Sequence, residues 1–417
     1  MSAGSEAPAA PSARTIRTTI LVAALGYFVD IYDLLLFSIV RKKSLQDILG
    51  PGVAPAALED HGVFLINAQM VGMLLGGVLW GVLGDKKGRL SVLFGSILLY
   101  SVANLANAFV TGVNSYAALR FVAGLGLAGE LGAAITLVSE SMPREKRGYG
   151  TTVVASVGVS GAIFAAVVGQ HFSWQTAYIL GGVLGLALLV TRLTMLESGL
   201  FGRLREAAVE KGDFFSLFTS WERAGRYLAC IFIGAPIWFV IGILVTFSPE
   251  LSLALGASTP AEAPKAVLYA YTGLVAGDFA SGMLSQLLRS RRRAVALFLT
   301  MTALAMGWYL SLRAPAPGTV YALCGLLGFG IGYWAVFVTV ASEQFGTNLR
   351  ATVTTSVPNF VRGSLVPLTL AWKYLKRDLA LGSVKSAALV GAVTVVLAAL
   401  SLARLRESYG RELDYYE

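Results

Sequence analysis

The sequence predicts an all-α membrane protein of twelve transmembrane helices in two pseudo-symmetric halves of six, and three observations carry that prediction. Hydrophobic residues make up 56% of the 417 and charged residues 14%, with a mean hydropathy of +0.69, whereas soluble domains carry about 25% charged residues. The apolar residues gather into twelve runs, each near the ~20 residues that a spanning helix needs. The longest polar interval, 197–225, falls after the sixth run, and short motifs recur on either side of it.

Residues 1–17 are rich in Ala, Pro and Ser and lack the basic, apolar, cleavage-site order of a signal peptide, so a cytoplasmic tail is expected there. The N-terminal half, 18–196, holds spans at 18–40, 62–83, 90–110, 115–139, 148–169 and 175–196. The interval 197–225, with Glu197, Arg203, Glu206 and Lys211 among its charges, reads as a cytoplasmic linker with some amphipathic helix. The C-terminal half, 226–404, holds spans at 226–250, 266–288, 294–312, 319–342, 351–372 and 384–404. Pro236, Pro249 and the Pro260/Pro264 loop interrupt its first two spans, which a bundle tolerates when neighbours satisfy the freed backbone groups. Residues 405–417 form a second tail.

A net charge of +9 raises the question of nucleic acid, but the 33 Lys and Arg lie mostly between apolar runs, with Arg120, Arg192 and Arg362 inside them, and build no separate basic domain. They read as topology signals, and most fall on one side if both termini are cytoplasmic. The minority on the other side, Arg41-Lys42-Lys43 and the Lys373 to Lys385 group, is placed to draw anions to an outer opening or to serve as ordinary solvated charge. Cys230 and Cys324 sit inside apolar runs, and His61 and His171 are the only histidines. No disulfide framework, metal site or cofactor is expected. No nucleophile and base are placed together, so no enzyme is expected.

The first span carries two acids in Gly26-Tyr-Phe-Val-Asp30-Ile-Tyr32-Asp33-Leu-Leu-Leu-Phe37. An ionisable group at mid-membrane costs about 2.5–3.5 kcal/mol on insertion scales and usually marks an ion or substrate path. Internal repetition supports two related halves. Glu140-Ser-Met-Pro-Arg-Glu-Lys-Arg147 after the fourth span is echoed by Glu343-Gln-Phe-Gly-Thr-Asn-Leu-Arg350 after the tenth, each leading into a Thr-rich helix start. Gly81-Val-Leu-Gly-Asp85-Lys-Lys-Gly88-Arg89 after the second span is matched by a basic cluster after the eighth, where Gln286 replaces the acid. Related halves around a central site are a transporter architecture.

The Gly81 to Arg89 segment resembles the loop motif of the major facilitator superfamily, Gly-x-Leu-x-Asp-Arg-x-Gly-Arg. Arg120-Phe-Val-Ala-Gly124-Leu-Gly126-Leu-Ala-Gly129-Glu130, continuing to Glu140 and Arg147, is similar to the fourth-span pattern of sugar porters and metabolite/proton symporters. The first span resembles the metabolite/proton group's Gly-x-x-x-Glu-Trp-Tyr-Asp-Phe, with Asp for Glu and Ile for Trp. A hexose site is disfavoured, because the seventh span reads Gly234-Ala-Pro236-Ile-Trp238-Phe and lacks the Gln-rich pattern that would match sugar hydroxyls. The fifth span, Val157-Gly158-Val-Ser-Gly161-Ala, lacks the Gly-Pro motif of drug/proton antiporters.

The resemblance implies roles for particular residues. Asp33 and Arg120 both lie about 8–10 Å below one membrane boundary at 1.5 Å per residue, and the family's coupling Asp and Arg match these positions. Arg120 close to Asp33 would keep it ionised and separation would let it bind a proton. Asp30 is the alternative proton site. In the second half, Asp278 and Arg362, the latter preceded by Pro358 and Asn359, lie near mid-span. A midplane guanidinium suits a carboxylate substrate, and Asp278 is expected to hold Arg362. Permanent structural ion pairs are the plain alternative for both couples. Tyr27, Tyr32, Asn67, Gln69, Tyr271, Tyr333 and Trp334 combine bulk with a polar tip and are candidates to line the cavity. Asp85, Glu130, Glu140, Arg147, Glu343 and Arg350 are assigned to gating or structural motifs.

The expected function is secondary active transport of a small organic anion, a carboxylate, in symport with protons by alternating access. An uncoupled facilitator or exchanger on the same fold is the alternative. The expected setting is a bacterial inner membrane, with both termini cytoplasmic and the monomer as the unit. Expected partners are substrate, protons and the lipid bilayer, and no nucleic acid.

Overall fold

With no water in a bilayer to satisfy peptide groups, each long apolar run must close its hydrogen bonds within itself, and the computed structural model, which describes residues 13–87, 89–129, 147–197 and 214–410, is helical throughout its spans. The first half contains α1 (Ala13–Leu49), α2 (Pro55–Lys87), α3 (Arg89–Asn107), α4 (Val113–Leu127), α5 (Arg147–His171) and α6 (Trp174–Glu197). In the second half α7 is Trp221–Val245, ending in a π-helical turn at Val240–Val245, and is followed by the short helix Ser248–Ala254. Next come α8 (Ala263–Leu287), α9 (Arg291–Ser311), α10 (Pro317–Glu343) and α12 (Ser383–Arg404). Between the last two lies α11, built of two segments, Thr347–Gly363 and Leu365–Arg377. Among the described residues, seven of these helices are long and apolar enough in a single window to cross a membrane. Gly88, Glu130, Glu140 and most of the linker lie outside the described residues, as do the side chains of Asp85, Arg89 and Arg147.

Close helix packing is built from glycine in both halves at matching places. A Cβ on Gly124 of α4 would stand 2.1 Å from the Gln69 carbonyl oxygen of α2, and one on Gly328 of α10 would stand 1.8 Å from that of Ala270 in α8. Small residues let backbones approach this closely where lipid supplies no hydrophobic drive. Gly328→Ala is therefore expected to destabilise by about 1–3 kcal/mol through overpacking. Gly307→Ala on α9, with nothing within 4 Å of its added carbon, should be neutral; thermal unfolding of the detergent-solubilised pair measures the difference. The halves meet where α2 lies against α11 and α5 against α8.

The end of the bundle away from the chain termini is closed by ion pairs that cross between halves. Arg41 of α1 reaches Glu250 at 2.7 Å, with its guanidinium over the Phe247 ring. Glu59 of α2 is bonded by Lys376 of α11, its second oxygen at 2.6 Å. Asp60 is paired with Lys373 at 3.0 Å and with Arg377. This corrects the expectation that these cations stand free to draw anions. It also corrects the first helix boundary: α1 runs on to Leu49, so Arg41 to Lys43 lie within the helix, and Arg41 is 1% exposed.

At the opposite end the second half ties itself together. Glu343 pairs with Arg291 at 3.4 Å and accepts from Ser408 at 2.6 Å, while Arg350 donates to the Phe345 carbonyl at 3.5 Å. Glu407, just beyond α12, accepts from the Ser290 hydroxyl and from the backbone N–H groups of Arg291, Arg292 and Tyr409. Burial alone would raise its pKa, but these hydrogen bonds outweigh burial and hold the carboxyl below the usual glutamate range. A depressed folded pKa means that the stabilisation is complete above the ordinary value of about 4.3 and is lost as pH falls through the lower folded value. Hydrogen exchange of residues 405–410 should accelerate, beyond its intrinsic pH dependence, only on that acid side.

Candidate transport site

Two buried charge clusters occupy the middle of the bundle, and they differ in which helices hold them. The first lies wholly within the first half. Arg120 of α4, fully buried, donates to Asn104 Oδ1 of α3 at 2.6 Å and to Gln69 Oε1 of α2 at 3.5 Å, and stacks over the Tyr178 ring of α6 at 5.1 Å. Gln69 in turn donates to the Leu34 carbonyl of α1 at 3.2 Å. Asp33 is fully buried beside Asn104 and Arg120 but makes no ion pair with Arg120 within 4.0 Å. The expected direct pair is absent: Arg120 gives its short hydrogen bond to Asn104 Oδ1, and Asp33 lies beside both. Its carboxylate packs so tightly on α6 that a Cβ at Gly181 would lie 2.2 Å from Oδ1.

The second cluster joins the halves. Arg362 of α11, 1% exposed, lies 3.8 Å from Asp30 of α1, which is fully buried. Its Nη1 is 3.5 Å from Asn359 Oδ1, and its guanidinium faces the Trp334 ring at 5.9 Å. Arg362 lines a central cavity together with Tyr27, Trp238, Tyr271 and Trp334. That cavity offers about 20 Å³ for the centre of a water molecule, enough for about one water and too little for a metabolite. At this cavity the described residues leave no room for a substrate.

Asp278 does not hold Arg362. α10 breaks between Gly330 and Trp334, and the Asp278 carboxylate accepts from the Ala335 N–H at 3.2 Å at the restart of the helix. Backbone donors freed by a break inside the membrane need such a partner, so Asp278 is committed to the backbone and Asp30 takes the place expected of it. Asn359 is likewise half structural: its Nδ2 donates across the halves to the Ala128 carbonyl at 2.9 Å and within α11 to Thr355 at 3.1 Å. Tyr32 spends its hydroxyl on the Ala177 carbonyl at 2.8 Å, and Tyr333 on that of Ile233 at 3.0 Å. Asn67 accepts from Thr369 across the halves at 2.8 Å. Gln69 belongs to the Arg120 cluster, away from Arg362. Asn104 and Tyr178 escaped sequence reasoning; an Asn inside the third apolar run was the signal for the first, and nothing marked the second.

Twelve helices in two halves, with ionisable side chains buried at the seam, define an integral membrane transporter of small molecules and not an enzyme. The sequence profile of the Major Facilitator Superfamily matches residues 23–365, and the chain belongs to that family. It is similar to the niacin transporter NiaP of Acinetobacter baylyi, 27% identical over 368 residues covering 80% of this chain and 81% of the relative. It is similar also to the 3-(3-hydroxy-phenyl)propionate transporter of Escherichia coli, 27% identical over 369 residues, 85% and 88% of the two chains. Among solved structures, the proton:xylose symporter XylE bound to 6-bromo-6-deoxy-D-glucose superposes with a TM-score of 0.71 at 17% identity, covering 97% of this chain and 98% of that one. At that identity the likeness is one of fold.

Proposed function

We propose that the chain is a proton-coupled symporter of small aromatic monocarboxylates, with both termini in the cytoplasm of a bacterial cell and the ion-paired end facing outward. One observation carries this reading: a buried arginine at the seam, ringed by Tyr27, Tyr271 and Trp334 and neutralised by an acid of the other half. A guanidinium fork receives a carboxylate in two parallel hydrogen bonds, and the surrounding rings offer faces to an aromatic body. The niacin transporter and the 3-(3-hydroxy-phenyl)propionate transporter, both similar to this chain, support the substrate class. The bias of Lys and Arg between the loops supports the orientation.

The coupling follows from exchange of partners. In the structure Asp30 neutralises Arg362 across the seam. A substrate carboxylate that takes Arg362 leaves Asp30 as a buried charge without its counterion, and proton uptake neutralises it. Substrate and proton then favour one another by the same free energy. Because the Asp30–Arg362 pair crosses the halves, rocking makes and breaks it; the Asp33, Asn104 and Arg120 cluster moves as one body within the first half. Asp30 is therefore the proton-loading acid in this reading, and Asp33 a neighbour that fixes α1 against α3, α4 and α6.

The test is the luminal pH of proteoliposomes holding the purified chain, with aromatic carboxylates, aliphatic carboxylates and xylose added in turn. Acidification of the lumen with aromatic carboxylates alone is expected. Carboxylate flux without proton movement would replace symport by facilitated diffusion or exchange.

A further inference from the structure

We propose that the groove between α9 and α12, at the end of the bundle that carries the termini, binds an anionic phospholipid whose phosphate is held by Arg289 and Arg293. The groove has a volume of about 700 Å³ and shares no lining residue with the central cavity. Its walls are Ala296 and Thr300 on α9 and Ala399 and Ala403 on α12. Each pair is one helical turn apart, so two facing strips of small side chains leave a trough where larger ones would close it. Leu299 and Leu402 form its apolar floor. On the same two helices Leu297, Leu304 and Leu400 are exposed, so this flank of the bundle faces the acyl chains.

The mouth of the trough is basic. Arg289, Arg292 and Arg293 all line it. Arg292 is tethered to the Ala403 carbonyl at 3.0 Å. Arg289 and Arg293 are exposed, and neither makes an ion pair or side-chain hydrogen bond among the described residues. Among the described residues the one acid on the lining, Glu407, is occupied by Ser290 and by backbone N–H groups and does not compensate the two cations. Arg289 also holds a left-handed backbone, φ +48°, which a glycine would adopt without strain and an arginine does not.

Two guanidiniums without a charged partner among the described residues, at the mouth of a lipid-facing apolar trough, match one ligand chemistry in both parts, a phosphodiester carrying acyl chains. Basic pockets between helices on the cytoplasmic side are suited to anionic lipid headgroups. A soluble anion would satisfy the arginines and leave the trough uncovered.

Native mass spectrometry of the full-length protein in detergent, titrated with phosphatidylglycerol and separately with phosphatidylethanolamine, tests the assignment. Preferential retention of phosphatidylglycerol is expected. Arg289→Gln with Arg293→Gln should weaken it about 30-fold, at roughly fivefold per arginine at a membrane surface, and leave phosphatidylethanolamine unchanged. Ala296→Phe, which fills the trough and keeps both cations, should weaken it as well, and thermal unfolding confirms that each variant is folded. Equal retention of the two lipids, or phosphatidylglycerol binding that both variants leave unchanged, would overturn the proposal. Displacement of phosphatidylglycerol by excess inorganic phosphate alone would also overturn it, by making the site one for a soluble anion.

Discussion

Arg362→Ala is expected to lower uptake of an aromatic carboxylate by about 30-fold or more, since truncating one partner of a buried, hydrogen-bonded charge pair costs about 2–5 kcal/mol. The loss should appear in KM as well as in the rate, because the guanidinium binds the substrate from the moment it enters. Arg362→Lys keeps the charge but loses the planar fork and should recover only part of the activity. Initial rates in proteoliposomes at several substrate concentrations measure both. Thermal unfolding in detergent separates lost binding from lost fold, which matters because Arg362→Ala also strands Asp30 in the interior. Unchanged KM and rate in Arg362→Ala would remove the arginine from the site.

Asp30→Asn is expected to abolish accumulation driven by a proton gradient while leaving exchange of labelled for unlabelled substrate intact. An asparagine cannot load a proton, yet it fills the same space beside Arg362 and still lets the loaded transporter rock. Asp33→Asn should instead reduce both activities together, because Asp33 is packed against Gly181 and faces Asn104 and Arg120 inside one half. Counterflow and gradient-driven uptake measured on the same vesicles distinguish the two. If Asp33→Asn uncouples transport and Asp30→Asn does not, the roles are reversed.

The residues at the centre were legible in the sequence because charge inside an apolar run is conspicuous: Asp30, Asp33, Arg120 and Arg362 announce themselves by context. Their partners were not. Hydropathy and rise per residue give the depth of a side chain, whereas pairing depends on helix azimuth and tilt, which packing decides. Depth alone matched Arg362 with Asp278, yet the break in α10 claims Asp278 for the Ala335 N–H, and α1 turns Asp30 toward the seam. The same limit hid the ion pairs at the closed end. Lys373, Lys376 and Arg377 read as loop charge because nothing in a linear pattern places Glu59 and Asp60, more than 300 positions away, beside them.

The π-helical turn at Val240–Val245 links the winding of α7 to the Arg41–Glu250 ion pair. In it Thr246 N–H bonds the Ile241 carbonyl five residues back, at 3.1 Å, so the turn takes up one residue more than an α-helical turn does. Pro236 lies inside the same helix and has no N–H to give to its ladder. Restoring α-helical pitch across that turn changes the azimuth of every later residue by about 100°, the rotation of one residue on an α-helix. Glu250 is four residues beyond Thr246 and would swing off Arg41 with it. The winding number of α7 and the Arg41–Glu250 latch are thus a single mechanical coordinate, so a screw motion within one helix releases that latch while the α2–α11 pairs still hold the far end.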